Sequence, residues 1–225
     1  MREYYHSELD EVVHQLVTMS DSVQIAVRDA TTALLDANVS VAERVIAGDL
    51  RIDAMHDELE QRCFTLLARQ APVAGELRTI VAAMQVVADI GRTGDLAKHI
   101  AEIARMRYPD HAVPEPLVGS FRRMSDVAQE MVGKAGRTLL DRNLEEAHEL
   151  VDDDDEMDNL RSSQFRQIVS EEWSHGVDKA VEKAVDAALL GRYYERIADH
   201  AVAMGRRIIY IITGEAPEGD DWPTT

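Results

Sequence analysis

Gly191-Arg192-Tyr193-Tyr194-Glu195-Arg196-Ile197-Ala198-Asp199-His200-Ala201 is the stretch on which the fold of this chain is decided. Around it, apolar residues recur at Leu190, Tyr194, Ile197, Ala201, Met204, Ile208 and Ile211, in steps alternating four and three. That spacing predicts a long helix packed in a bundle. Glu195 and Asp199, four residues apart, stack one turn above the other. At about 100° per residue they point roughly 120° or more from the centre of the apolar seam. The spacing therefore predicts carboxylates on the outer face, and not the inward carboxylates of a bundle-core metal centre.

The same period extends in both directions. Tyr5, Leu9, Val12, Leu16, Met19, Val23, Ala26 and Ala30 predict a first helix over about 4–37. Ser40 with Glu43 reads as a capping box that starts a second helix at Val41, running to about Arg69. Pro72 suits the first turn of a third helix, which continues to about Met106. Three prolines between Tyr108 and Pro116 mark a connector. A fourth helix spans about Leu117 to Asp141, and Asn143, with Glu146 at the box position, caps a fifth that ends near His175-Gly176. A sixth runs from about Val177 to Thr213. Val and Ile fall within helical spacing and not in strand alternation. The chain reads as all-α, with two tandem three-helix bundles at 1–109 and 110–213 and a polar tail at 214–225.

The two halves align internally. Leu34-Leu35-Asp36-Ala37-Asn38 matches Leu139-Leu140-Asp141-Arg142-Asn143 at an offset of 105 residues, which also places Asp49, Ile52 and Asp53 on Asp154, Met157 and Asp158. Arg92 and Asp95 match Arg196 and Asp199 at an offset of 104. A turn and two sets of acids carry this repeat, because apolar positions match in any two amphipathic helices. If the fifth and sixth helices are antiparallel neighbours, Asp154, Asp158, Glu195 and Asp199 converge. Four carboxylates together repel unless a cation neutralises them, and oxygen donors in that number suit Mg, Ca, Mn or iron, with zinc also accommodated. The plainer alternative is a solvated acidic face on which Glu195 pairs with Arg192 or Arg206.

Composition excludes several classes of function. A net charge of −18 on 225 residues opposes nucleic acid and anionic membrane. No apolar run approaches the roughly 18 residues of a membrane span, Ile208-Ile209-Tyr210-Ile211-Ile212 being far too short, so no insertion is expected. The first residues lack an apolar signal core, and the single Cys63, among Phe64, Leu66 and Leu67, reads as a buried thiol; a cytoplasmic protein is expected.

At the acidic turns the chain resembles the PhoU family, regulators of bacterial phosphate uptake. The resemblance rests on Asp49-Leu50-Arg51-Ile52-Asp53, Pro72-Val73-Ala74-Gly75-Glu76-Leu77-Arg78 and Arg92-Thr93-Gly94-Asp95 in the first repeat. In the second it rests on Asp154-Asp155-Glu156-Met157-Asp158 and Glu195-Arg196-Ile197-Ala198-Asp199. It covers nearly the whole chain except the tail. It implies two tandem three-helix repeats, with iron or zinc clusters on the acidic turns in some members. The metal-site residues carried over are Asp154, Asp158, Glu195 and Asp199, with Asp49, Asp53 and Asp95 in the first repeat. It further implies a cytoplasmic, non-catalytic adaptor coupling the ATPase subunit of a phosphate ABC transporter to a sensor histidine kinase, restraining uptake and the phosphate-starvation regulon. Several members are dimers, so a homodimer is expected. One departure stands out. Where the family has an acid in the first repeat, this chain has Gly91, and Asp89 lies about 200° round the helix. The second repeat retains all four acids.

Two other readings compete with this one. Glu145-Glu146-Ala147-His148 contains the Glu-x-x-His of ferritin-like di-iron enzymes, and Asp53-Ala54-Met55-His56 is a looser relative. Such a site needs two equivalent motifs, yet His148 matches Glu43 and His56 matches Arg161. The other rival is a helical scaffold unrelated to phosphate.

Overall fold

The computed structural model describes residues 2–152, 154–170 and 179–215. They form helices α1 (Arg2–Leu35), α2 (Val39–Gln70), α3 (Gly75–Arg107), α4 (Glu115–Asp141), α5 (Leu144–Asp152), α6 (Asp154–Ile168) and α7 (Ala180–Thr213), with no strand among the described residues. α1, α2 and α3 pack mutually as one bundle; α4, α7 and the α5–α6 pair make the second. The all-α reading and the two three-helix units agree with this. None of the described helices is long and apolar enough to cross a membrane.

Burial of the periodic seams drives the fold. Leu9, Val12, Leu16, Met19, Val23 and Ala30 are buried on α1, and all seven seam residues of α7 from Leu190 to Ile211 are buried. Cys63 is fully enclosed, and burial pushes its thiol up to about 11. The bundles lie side by side, α1 against α4 and α3 against α7. Where α1 meets α4 the helices approach closely: a Cβ on Gly136 would sit 2.9 Å from Ser20 Oγ, which donates to the Val132 carbonyl at 3.1 Å. A buried polar cluster crosses the same seam. Thr31 Oγ1 donates to the Val27 carbonyl, so its lone pairs receive Tyr194 Oη at 2.7 Å and Ser125 Oγ at 2.8 Å. Desolvation raises the Tyr194 phenol and keeps it a donor.

Several helix ends differ from the sequence reading. α2 starts at Val39, because Asn38 reaches the Val41 amide at 3.2 Å and caps the helix ahead of Ser40. α3 starts at Gly75, not Pro72. Ala71, steered away from the right-handed helix by the proline after it, closes α2 in the left-handed region, and Ala74 (φ 50°) turns the chain again. Asn143 caps as expected, accepting from the Glu145 and Glu146 amides, but Glu146 itself accepts from Thr138 Oγ1. The fifth helix is described as two stretches, α5 and α6, on either side of Asp153, which lies outside the described residues. The expected junction at His175-Gly176-Val177 and all but Gly214 and Glu215 of the tail lie outside the described residues. Gly214 closes α7 at φ 78°, its amide donating to the Tyr210 carbonyl, with the Arg78 guanidinium against it.

Candidate metal-binding acidic turns

In the first repeat the antiparallel α2 and α3 form a ladder of facing residues. Asp49 meets Lys98, Nζ to Oδ2 at 2.6 Å; Ile52 packs on Gly94; His56 covers Gly91. Asp49, Asp53 and Asp95 bring one oxygen each within 4.8 Å of one another, the one such trio of potential metal donors among the described residues. Asp49 is only 3% exposed, whereas Asp53 is exposed. The hydrogen bond from Lys98 to Asp49 neutralises the buried member and raises the Lys98 ammonium above its ordinary range. Arg92 approaches Asp95 at 3.3 Å, a surface pair of small worth. Asp53, His56, Ala88, Gly91, Arg92 and Asp95 line one cavity of about 260 Å³.

In the second repeat α6 and α7 make the corresponding ladder. Gln164 donates to the Ala187 carbonyl at 2.6 Å and lies over Gly191, and Arg161 faces Glu195. Glu195 is 8% exposed, which corrects its assignment to the outer face; Asp199 is exposed as expected. A single seam underestimates the buried arc of α7, which packs against α3, α4, α5 and α6 together. Arg161 Nε and Arg192 Nη1 reach Glu195 Oε2 at 2.8 and 2.6 Å, as ion pairs and not as aligned hydrogen bonds. Arg192 was one of the two partners expected for Glu195; Arg161 was not among them.

Asp154, Asp158, Glu195 and Asp199 share one electrostatic field. Desolvation, then the charges of Asp158, Asp199, Glu195 and Asp155, push the Asp154 carboxyl up to about 6. Desolvation and Glu195 raise Asp199 as well, partly offset by Arg192. Asp154 Oδ1 is buried without a hydrogen-bond partner. An orphaned carboxylate oxygen among like charges fits a cation, as does the oxygen trio of the first repeat.

Asp89, the acid beside Gly91 in sequence, is turned to α7, where His200 Nδ1 lies at 3.1 Å and Arg207 Nε at 3.3 Å. Among the described residues the buried carboxylates are Asp49, Asp89, Asp186 and Glu195, and each faces Lys, Arg or His. Glu145 and His148 are exposed, so that Glu-x-x-His does not enter a core. Lys98 and Arg161 escaped the sequence reading as neutralising partners. The signal for Arg161 was present: it lies seven residues after Asp154, on the same helix face, as His56 lies seven after Asp49.

Two tandem three-helix units with an acidic turn on each define a class of repeat bundle, and known proteins share it. Residues 16–104 and 121–208 each match the PhoU domain. The chain is 44% identical over 224 residues to the phosphate-specific transport system accessory protein PhoU homolog 1 of Mycobacterium tuberculosis, covering all of both chains. To homolog 2 of that organism it is 45% identical, over 96% of this chain and all of the relative. The crystal structure of PhoU from Pseudomonas aeruginosa superposes with a TM-score of 0.87 at 27% identity, over 94% of this chain and all of that one. PhoU from Streptococcus pneumoniae, at 20% identity and TM-score 0.85 over 95% and 99%, shares the fold. The chain belongs to the PhoU family.

Proposed function

We propose that this protein is a cytoplasmic, non-catalytic accessory regulator of phosphate uptake. In this reading it couples the ATPase subunit of a phosphate ABC transporter to a sensor histidine kinase and restrains uptake and the starvation response when phosphate is plentiful. The observation that carries the reading is the full-length identity to proteins named phosphate-specific transport accessory proteins. Helical faces outside the two seams would contact transporter and kinase in turn, and one such face would pair two copies as a homodimer. The acidic turns would hold iron or zinc and brace α2 against α3 and α6 against α7. The orphaned Asp154 oxygen and the Asp49, Asp53 and Asp95 trio support that part. Deleting the gene in its host is expected to switch on a phosphate-starvation reporter in rich phosphate; a normally silent reporter would overturn the regulatory reading. Metal analysis of protein purified without chelator is expected to find iron or zinc, with less in a Glu195→Ala, Asp199→Ala double variant.

A further inference from the structure

The two repeats place different residues at one pair of facing positions. In the second, Arg161 of α6 faces Glu195 of α7 at 2.8 Å. The internal alignment puts His56 where Arg161 stands and Gly91 where Glu195 stands. The structure brings that pair together too. A Cβ on Gly91 would lie 3.2 Å from His56 Cδ2 and 4.0 Å from its Nε2, so the imidazole occupies the space that an acidic side chain at 91 would enter. A carboxylate from α3 and an imidazole from α2 are thus alternatives for one volume. Asp49, Asp53 and His56 follow one another at intervals of four and three, on one face of α2. His56 shares the cavity of about 260 Å³ with Asp53 and Asp95. Its Nδ1 lies 3.3 Å from Asp57 Oδ1. A carboxylate at Nδ1 is the arrangement that leaves Nε2 as the free lone pair and orients metal-binding histidines.

We infer that His56 supplies the donor missing at Gly91, making the first acidic turn a three-aspartate, one-histidine metal site. This deepens the metal-binding part of the proposed function and rests on it. An imidazole among carboxylates favours zinc or ferrous iron over magnesium and calcium, which prefer oxygen throughout. The second repeat presents only oxygen donors, and a guanidinium stands at the position of the imidazole. The two turns therefore select ions differently.

The test is calorimetric titration of the full-length, chelator-treated protein with zinc chloride, and with magnesium chloride in parallel. Zinc binding at one class of site is expected to weaken by at least about tenfold in His56→Ala, the lower end of the loss seen when even a ligand's supporting partner is removed. It is expected to vanish at that site in Asp53→Asn, Asp95→Asn and to recover partly in His56→Ala, Gly91→Glu. Zinc is also expected to shift the His56 ring nitrogen resonances in the wild-type protein. That readout holds even where a variant loses its fold. Zinc binding lost in the aspartate variant but unchanged in His56→Ala, with the ring resonances unmoved, would overturn the histidine and leave the carboxylate site standing. No zinc binding in the wild-type protein would overturn both. The regulatory role is tested separately, by the reporter in cells.

Discussion

The acidic turns of the two repeats occupy equivalent places on equivalent helices, and they balance their charge in opposite ways. In the first, Lys98 of α3 neutralises the buried Asp49, and Asp53 and Asp95 are left facing a cavity beside His56. In the second, Arg161 and Arg192 converge on the buried Glu195, and the uncompensated member is Asp154, whose carboxyl is held near pH 6 by burial and by three other acids of the cluster. The repeats keep the spacing of the carboxylates, while the cations come from α3 alone in the first and from both α6 and α7 in the second. The strain of collecting like charges therefore falls on different residues in each half.

Three substitutions separate the two halves, in decreasing order of effect. Lys98→Ala strands Asp49, only 3% exposed, without its ammonium. It is expected to cost about 2–3 kcal/mol and to lower the melting temperature by roughly 5–10 °C, read by thermal circular dichroism. Arg161→Ala removes one of two cations from Glu195 and leaves Arg192, so urea denaturation is expected to show a loss of about 1 kcal/mol. A loss as large as that of Lys98→Ala would mean that Arg192 does not share the load. Asp154→Asn has the opposite sign. Because the folded carboxyl titrates near 6 and the unfolded one near 4, ionising Asp154 works against the fold as pH rises through that interval. The metal-free variant is expected to be modestly more stable than wild type above pH 6. That advantage should shrink as pH falls and vanish below about pH 4, as followed by melting temperature across pH. A gain that persists at pH 4 would mean that packing, and not charge, is the cause.

Much of the architecture was legible because burial imposes a period. The seam from Leu190 to Ile211 and the seam of α1 are buried in register with the sequence. Helix ends were less legible, since Asn38, Ser40 and Pro72 all carry terminal signals and only the competing geometries choose among them. The site was legible in part. The acidic positions follow from spacing and repeat, but the outward direction inferred for Glu195 failed because one seam cannot report that α3, α4, α5 and α6 all pack against α7.

The chain itself determined that long amphipathic helices form, that they come in two matched sets, and that carboxylates recur at one turn of each. These are local or periodic properties, set by hydrophobic spacing and by the internal repeat. Only the tertiary structure decided which carboxylates are buried and which cations meet them. Lys98 and Asp49, Arg161 and Glu195, and His56 and Gly91 lie more than thirty residues apart, and the antiparallel packing of neighbouring helices sets each of those distances. Charge pairing at a helix–helix contact depends on that registry, which no single helix carries in its own sequence.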